Sequence, residues 1–288
     1  MGKLFEALER AEKIRSSVKM PQTAADTENE PQPVLPGAVQ HRQLVAFSQP
    51  ASLAAEQFRK LRTVILNRPA PCRVILVTSS LEAEGKSLVA ANLASILAQD
   101  LNRHALLVEA DLRNPSLSGW FGLNNGRGLS DYLSGTGNLP DLIMKTPIAK
   151  LGIIAGGRIP ENPVELIGSH KMEALLGELK SRYSDRFIII DSPPLLVTSE
   201  ANVIAKNVDG VIFVVRSGKV PREMIQGALA TLPGEKLLGI VMNDVFFRSS
   251  ALHSRYFGSS SYYRHPEQKK DSGSVRTWLD RMRFRAGR

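Results

Sequence analysis

Three features of this sequence predict an α/β fold with a mainly parallel sheet and helices on both faces. Short apolar, β-branched runs (Val74–Val77, Ala105–Val108, Leu151–Ala155, Phe187–Ile190, Gly210–Val215 and Leu237–Met242) alternate with segments of helical period, as parallel crossovers demand. The first run breaks at Gly85-Lys86-Ser87 and resumes with helical density, the strand–loop–helix layout of a nucleotide-phosphate loop. The fourth run, the most hydrophobic, ends in Asp191, where a carboxylate can hold the water shell of Mg²⁺.

The 288 residues, 43% of them hydrophobic, suffice for one sizeable core with flanks to spare. No apolar run approaches the ~20 residues of a membrane span, and no signal peptide is evident. The single cysteine, Cys72, excludes an intramolecular disulfide, so a reducing cytoplasm is the expected compartment. The formal charge of +9 is uneven: residues 1–50 balance to zero, 51–245 carry +2, and 246–288 carry +7. The expectation is a tail that meets something anionic, such as a membrane surface or its own nucleotide-bound neighbour, rather than a nucleic-acid-binding face on the core.

Four segments follow in order. Residues 1–20 place Leu4, Leu8, Ala11 and Val18 on one side of a charged amphipathic helix. Residues 21–50 are proline-rich and without period, which predicts a disordered linker. The folded domain spans 51–245 and the basic tail 246–288. Ser52 can cap the domain's first helix, whose apolar positions are Leu53, Phe58, Leu61 and Ile65. Glu56, Arg59 and Arg62 repeat every third residue along one flank of it, which by pattern alone reads as solvated.

In the loop, Gly85 lets backbone amides close on phosphate, Lys86 can reach the β/γ-phosphates, and Ser87 can hold Mg²⁺. Ser80 stands where the full pattern has its first glycine. The loop helix is expected to run to Gln99. The next strand delivers Glu109, Asp111 and Arg113 to its carboxyl end, where an open parallel sheet has its ligand crevice. Two alternate carboxylates there can organise Mg²⁺ or accept a proton from an attacking hydroxyl; a structural Asp111–Arg113 salt bridge is the alternative. Residues 120–150 promise one helical piece, near Leu129–Leu133. The loop after Ala155 carries Arg158 and Asn162, and Pro163 is placed to start a helix through Tyr183. A further helix begins near Pro221. In the tail, Tyr256, Tyr262 and Tyr263 lie among serine, glycine and basic residues, a setting suited to modification. Val275, Trp278, Leu279 and Met282 form an apolar face amid arginines, as in a surface-seeking helix.

Together these residues resemble the bacterial tyrosine kinases, P-loop NTPase-fold autokinases linked to capsule and exopolysaccharide export, over roughly Ser52 to Tyr263. Gly85-Lys86-Ser87 resembles their Walker A, Glu109-x-Asp111-x-Arg113 their Walker A′, and Ile188 to Pro194 their Walker B. The resemblance implies ATP and Mg²⁺ as cofactors. Ser80, Glu84, Gly85, Lys86, Ser87, Leu88 and Arg113 would bind nucleotide, Ser87, Asp111 and Asp191 the metal, and Lys86, Asp111, Glu109 and Asp191 would carry catalysis. It also turns Glu56, Arg59 and Arg62 into a ring-forming oligomerisation motif, makes Tyr256, Tyr262 and Tyr263 autophosphorylation sites on neighbouring subunits, and implies a separate transmembrane polysaccharide co-polymerase as activator. The protein would then sit at the inner face of the plasma membrane, with its termini as contacts. Three departures stand out: Glu109 in place of the usual aspartate, Ala83-Glu84 before Gly85, and some 25 residues after the tyrosines. Two rivals share the fold. One is a ParA/MinD-like positioning ATPase, whose signature lysine has no counterpart between Lys60 and Lys86; the other is a non-catalytic nucleotide-binding scaffold of the export machinery.

Overall fold

The structure, a computed structural model, describes residues 42–183 and 185–245. The expected N-terminal helix, the linker up to residue 41 and the tyrosine-bearing tail lie outside the described residues.

All six apolar runs form strands: β1 (Val74–Ser79), β2 (His104–Glu109), β4 (Leu151–Ile154), β5 (Arg186–Asp191), β6 (Gly210–Arg216) and β7 (Leu237–Asn243). A short β3 (Ile143–Lys145) joins them. The order is β3-β4-β2-β5-β1-β6-β7, parallel throughout except for β3 on β4. Alternation along the strands divides the core into two layers. Val74, Leu76, Leu106, Val108, Ile188 and Ile190 face one side, and Ile75, Val77, Ala105, Leu107, Ile189 and Ile212 the other.

On the second face lie α1 (Val45–Ser48), α2 (Leu53–Leu66), α3 (Lys86–Ala98) and the short α4 (Leu117–Trp120). The first face is covered by α5 (Leu129–Ser134), α6 (Leu139–Leu142), α7 (Pro163–Ile167), α8 (His170–Arg182), α9 (Glu200–Asn207) and α10 (Arg222–Ala230). Ser52 caps α2 as expected, accepting from the Ala55 amide at 3.1 Å. The loop helix α3 is buried along nearly its whole length, Val89 to Ala98. Its run of Ala, Ser and Asn lets the sheet and the two outer helices approach closely.

Four expectations are corrected. The linker was expected to reach Pro50, but its end is folded: Leu44 and Ala46 are wholly buried against α3. Buried Asn92 holds them there. Its Oδ1 accepts from the Ala46 amide at 2.9 Å, and its Nδ2 donates to the carbonyls of Gln43 (2.7 Å) and Leu88 (2.9 Å). One long helix from Pro163 to Tyr183 is two, because Ser169 starts α8 as an N-cap, accepting from the Met172 amide, after α7 closes at Gly168. The run Leu237–Met242 was expected to be buried. As the sheet's edge strand it leaves Ile240 and Met242 about half exposed, at 48% and 54%. Residues 120–150 also hold more regular structure than one helical piece, including α6 and β3.

Asn92→Ala would strand the Ala46 amide and the Gln43 carbonyl. It is expected to lower the unfolding free energy by about 2 kcal/mol and to speed tryptic cleavage at Arg42, measured by denaturant melts and timed proteolysis.

Candidate active site

A cleft of about 600 Å³ opens at the carboxyl ends of the strands, beside β1, from which the chain crosses to β2 on one side while β6 pairs on the other. Such a switch point is where open α/β sheets take ligands. Gly85, Lys86, Ser87 and Leu88 line it from the start of α3, and Asp111 and Arg113 line it from the end of β2. Gly85 has φ +95°, in the left-handed region that glycine alone occupies readily. A Cβ there would sit 2.1 Å from Asn243 Nδ2. Backbone amides at the start of a buried helix then face the cleft, the arrangement that holds phosphate.

Across the cleft, Lys86 Nζ meets Asp111 Oδ2 at 3.1 Å, both mostly buried. Behind them Asp191 is 1% exposed. Burial pushes its carboxyl up to about 7, against the pull of Lys86 and of a hydrogen bond with Ser87; Asp111 and Glu109 push it further. Asp191 Oδ1 is buried without a hydrogen-bond partner. A buried acceptor beside a serine hydroxyl and a second carboxylate suits the water shell of Mg²⁺, which is held by one or two carboxylates plus nucleotide phosphates. Among the described residues no cluster of three or more His, Cys, Asp and Glu side chains could cage a metal.

Glu109, paired with Asp111 in the sequence analysis, does not line the cleft. Its Oε1 accepts from the amides of Ser116 and Leu117 (2.6 Å), its Oε2 from Gly156 at 2.9 Å, and it is 1% exposed. Burial raises its pKa, although those amides pull the other way. The longer arm of glutamate thus ties β2 to α4 and to the loop after β4. Ser80 and Glu84 are absent from the cleft wall too. Ser80 Oγ donates to Glu84 Oε1 at 2.6 Å, which also accepts from the Leu81 amide (2.6 Å), while Oε2 accepts from the Arg216 amide (3.2 Å). These side chains brace the loop from behind. The Asp111–Arg113 salt bridge is replaced by two pairs, Lys86–Asp111 and Arg113 with buried Glu200 at 3.1 Å.

Arg216, Asn243 and Asp244 line the cleft and were missed. Asn243 Nδ2 donates to the Glu84 carbonyl at 2.9 Å, and Arg216 Nε to Asp244 at 2.9 Å. The sequence shows only that each of Arg216 and Asn243 closes an apolar run; that the two strand ends are paired neighbours belongs to the sheet. On α2, Glu56 pairs with Arg59 at 2.6 Å, Arg59 also donates to the Pro50 carbonyl, and Arg62 donates to the Ile96 carbonyl at 3.2 Å while its buried Nε has no partner.

Asp191 titrates ordinarily near 3.8 and in the fold near 7, so folding favours its protonated form. In nucleotide-free protein its contribution is fully present below about pH 4 and is lost as pH rises through about 7. Urea melts at several pH values should show Asp191→Asn flattening that decline and stabilising the protein at pH 8.

No protein-family model matches the chain. It is 34% identical over 225 residues to tyrosine-protein kinase YwqD of Bacillus subtilis, covering 76% of this chain and 92% of that one. The kinase domain of Escherichia coli tyrosine kinase ETK superposes with a TM-score of 0.67 at 26% identity, over 82% of this chain and 86% of that one. The septum site-determining protein MinD of Pyrococcus horikoshii, solved with Mg-ADP, superposes with a TM-score of 0.50 at 26% identity, over 62% and 72%. Shared length and identity with YwqD, on a seven-stranded P-loop NTPase fold, decide between the kinase and its ATPase rival: the chain belongs to the bacterial tyrosine kinases and is a protein-tyrosine kinase.

Proposed function

We propose that the cleft transfers the γ-phosphoryl group of ATP to tyrosine hydroxyls, with Asp111 as the group that receives the tyrosine proton. The contact that carries this reading is Lys86–Asp111 at 3.1 Å on the cleft wall, because Glu109, the other candidate, has both oxygens occupied by backbone amides. Bound there, MgATP would supply the phosphoryl group and neutralise charge on its oxygens. Lys86 and the amides from Gly85 to Leu88 hold phosphate, while Ser87, Asp111 and Asp191 order the metal's water shell. As the tyrosine proton passes to Asp111, the phenolic oxygen bonds to the γ-phosphorus and the bond to the bridging oxygen breaks, leaving ADP. The transition state is loose, so positioning and charge carry most of the acceleration. Arg113, fixed by Glu200, adds positive charge at the cleft.

In the same reading the acceptors are Tyr256, Tyr262 and Tyr263 of neighbouring subunits, presented by the tail 246–288 to the kinase domain, and Glu56, Arg59 and Arg62 join the subunits into a ring. The protein controls capsule or exopolysaccharide assembly and export together with a separate transmembrane co-polymerase, at the inner face of the plasma membrane. Family membership supports this. Among the described residues no helix is long and apolar enough to cross a membrane.

Phosphotyrosine mass spectrometry after incubation with MgATP tests the reading. Lys86→Met should abolish labelling of the three tail tyrosines, and Asp111→Asn should slow transfer about 10²–10⁴-fold. Glu109→Gln should lower the melting temperature far more than the rate; the reverse pattern would make Glu109 the base. Glu56→Ala should reduce the mass measured by light scattering towards that of a single subunit.

A further inference from the structure

The segments that lead into the parallel strands all lie at the end of the sheet opposite the cleft, because parallel strands share one direction. Those segments are residues 67–73, 99–104, 145–150, 180–183 with 185–186, 206–209 and 231–236. They hold ten Lys/Arg against four Asp/Glu, a net +6, while the other residues of 51–245 carry −4. Side-chain bonds stitch this pole into one surface. Arg73 donates to the carbonyls of Tyr183 (3.4 Å) and Lys180 (3.3 Å), and Lys180 pairs with Asp209. His104 meets Asp185 at 3.2 Å, and Lys150 donates to the carbonyls of Asp100 (3.1 Å) and Leu101 (2.7 Å).

At the apex of the turn between α3 and β2 stands Leu101, 88% exposed, with Arg103 two residues on, its guanidinium over the Phe187 ring. Beside it a hollow of about 580 Å³ has an apolar lining that includes Pro140, Ile143, Met144 and Ile148, with Lys145 and Lys150 also on its wall. A nucleic acid backbone would use the cations but not a protruding leucine or an apolar hollow. An anionic phospholipid surface uses all three: lysines and arginines near it attract headgroups, and an apolar tip enters the interface.

We infer that the strand-entry pole of the domain, centred on Leu101, docks on anionic phospholipid bilayers and so turns the nucleotide cleft away from the membrane. The contact is made by the folded domain and is independent of the chain's termini and of the kinase reading. Co-sedimentation of the full chain with vesicles tests it, using phosphatidylcholine alone or with about one third phosphatidylserine. The wild type should bind the mixed vesicles only. The variant Arg68→Gln/Arg103→Gln/Lys145→Gln should bind them about 100-fold more weakly, and Leu101→Ser about tenfold. Both should bind ADP as the wild type does. If the triple variant loses ADP binding, Leu101→Ser decides alone. The proposal falls if the variants sediment like the wild type, which would leave the tail as the contact. It falls equally if neutral vesicles bind as well, or if duplex DNA is bound where vesicles are not.

Discussion

One constraint, the common direction of the strands, organises the molecule. Six of the seven described strands run parallel, so every chemically useful strand end meets at one edge of the sheet. Lys86, Asp111, Arg216 and Asn243 are far apart in sequence and meet on the cleft wall for that reason, with Asp191 at the end of β5 behind them. The same constraint sends the strand beginnings to the other edge, where the basic residues accumulate.

Holding such a site open has an energetic consequence. Asp191 is buried behind the cleft wall with an unpartnered oxygen, and an unsatisfied buried carboxylate destabilises the fold by more than most single contacts contribute. Its pKa, pushed up by burial, expresses that strain electrostatically. The surroundings offset it with rigidity. Glu84 binds the phosphate loop to the end of β6, Asn243 binds it to β7, and Glu109 clamps the end of β2 through three amides. Several polar groups close to the cleft thus hold the machinery in place, while Lys86, Ser87, Asp111 and Arg113 line the space where a substrate would lie.

The position of α3 couples this rigidity to the core. It is buried on the sheet side by β1, β2 and β5 and on the outer side by α1 and α2. Because Asn92 on α3 also anchors residues 43–46, the chain just before the domain is tied to the helix whose start forms the phosphate loop. Gln43 accordingly reaches the cleft wall.

Sequence determined what depends on local pattern. Strand-length apolar runs, the Gly85-Lys86-Ser87 turn and the aspartate closing β5 specify the α/β class and the phosphate loop, because period, propensity and glycine's conformational freedom act over a few residues. Tertiary structure decided what depends on which groups share space. Glu109 and Asp111 look equivalent as neighbours on one strand end, yet backbone amides at the start of α4 and from the loop after β4 claim the first and leave the second beside Lys86. The run Leu237–Met242 is as apolar as its fellows, and only the strand order makes it an edge. Ser80 and Glu84 belong to the loop by sequence and bond to each other locally, but the Arg216 amide that ties Glu84 to the sheet arrives from a strand more than a hundred residues away. Contacts of that range are set by packing the whole sheet, and no local pattern encodes them.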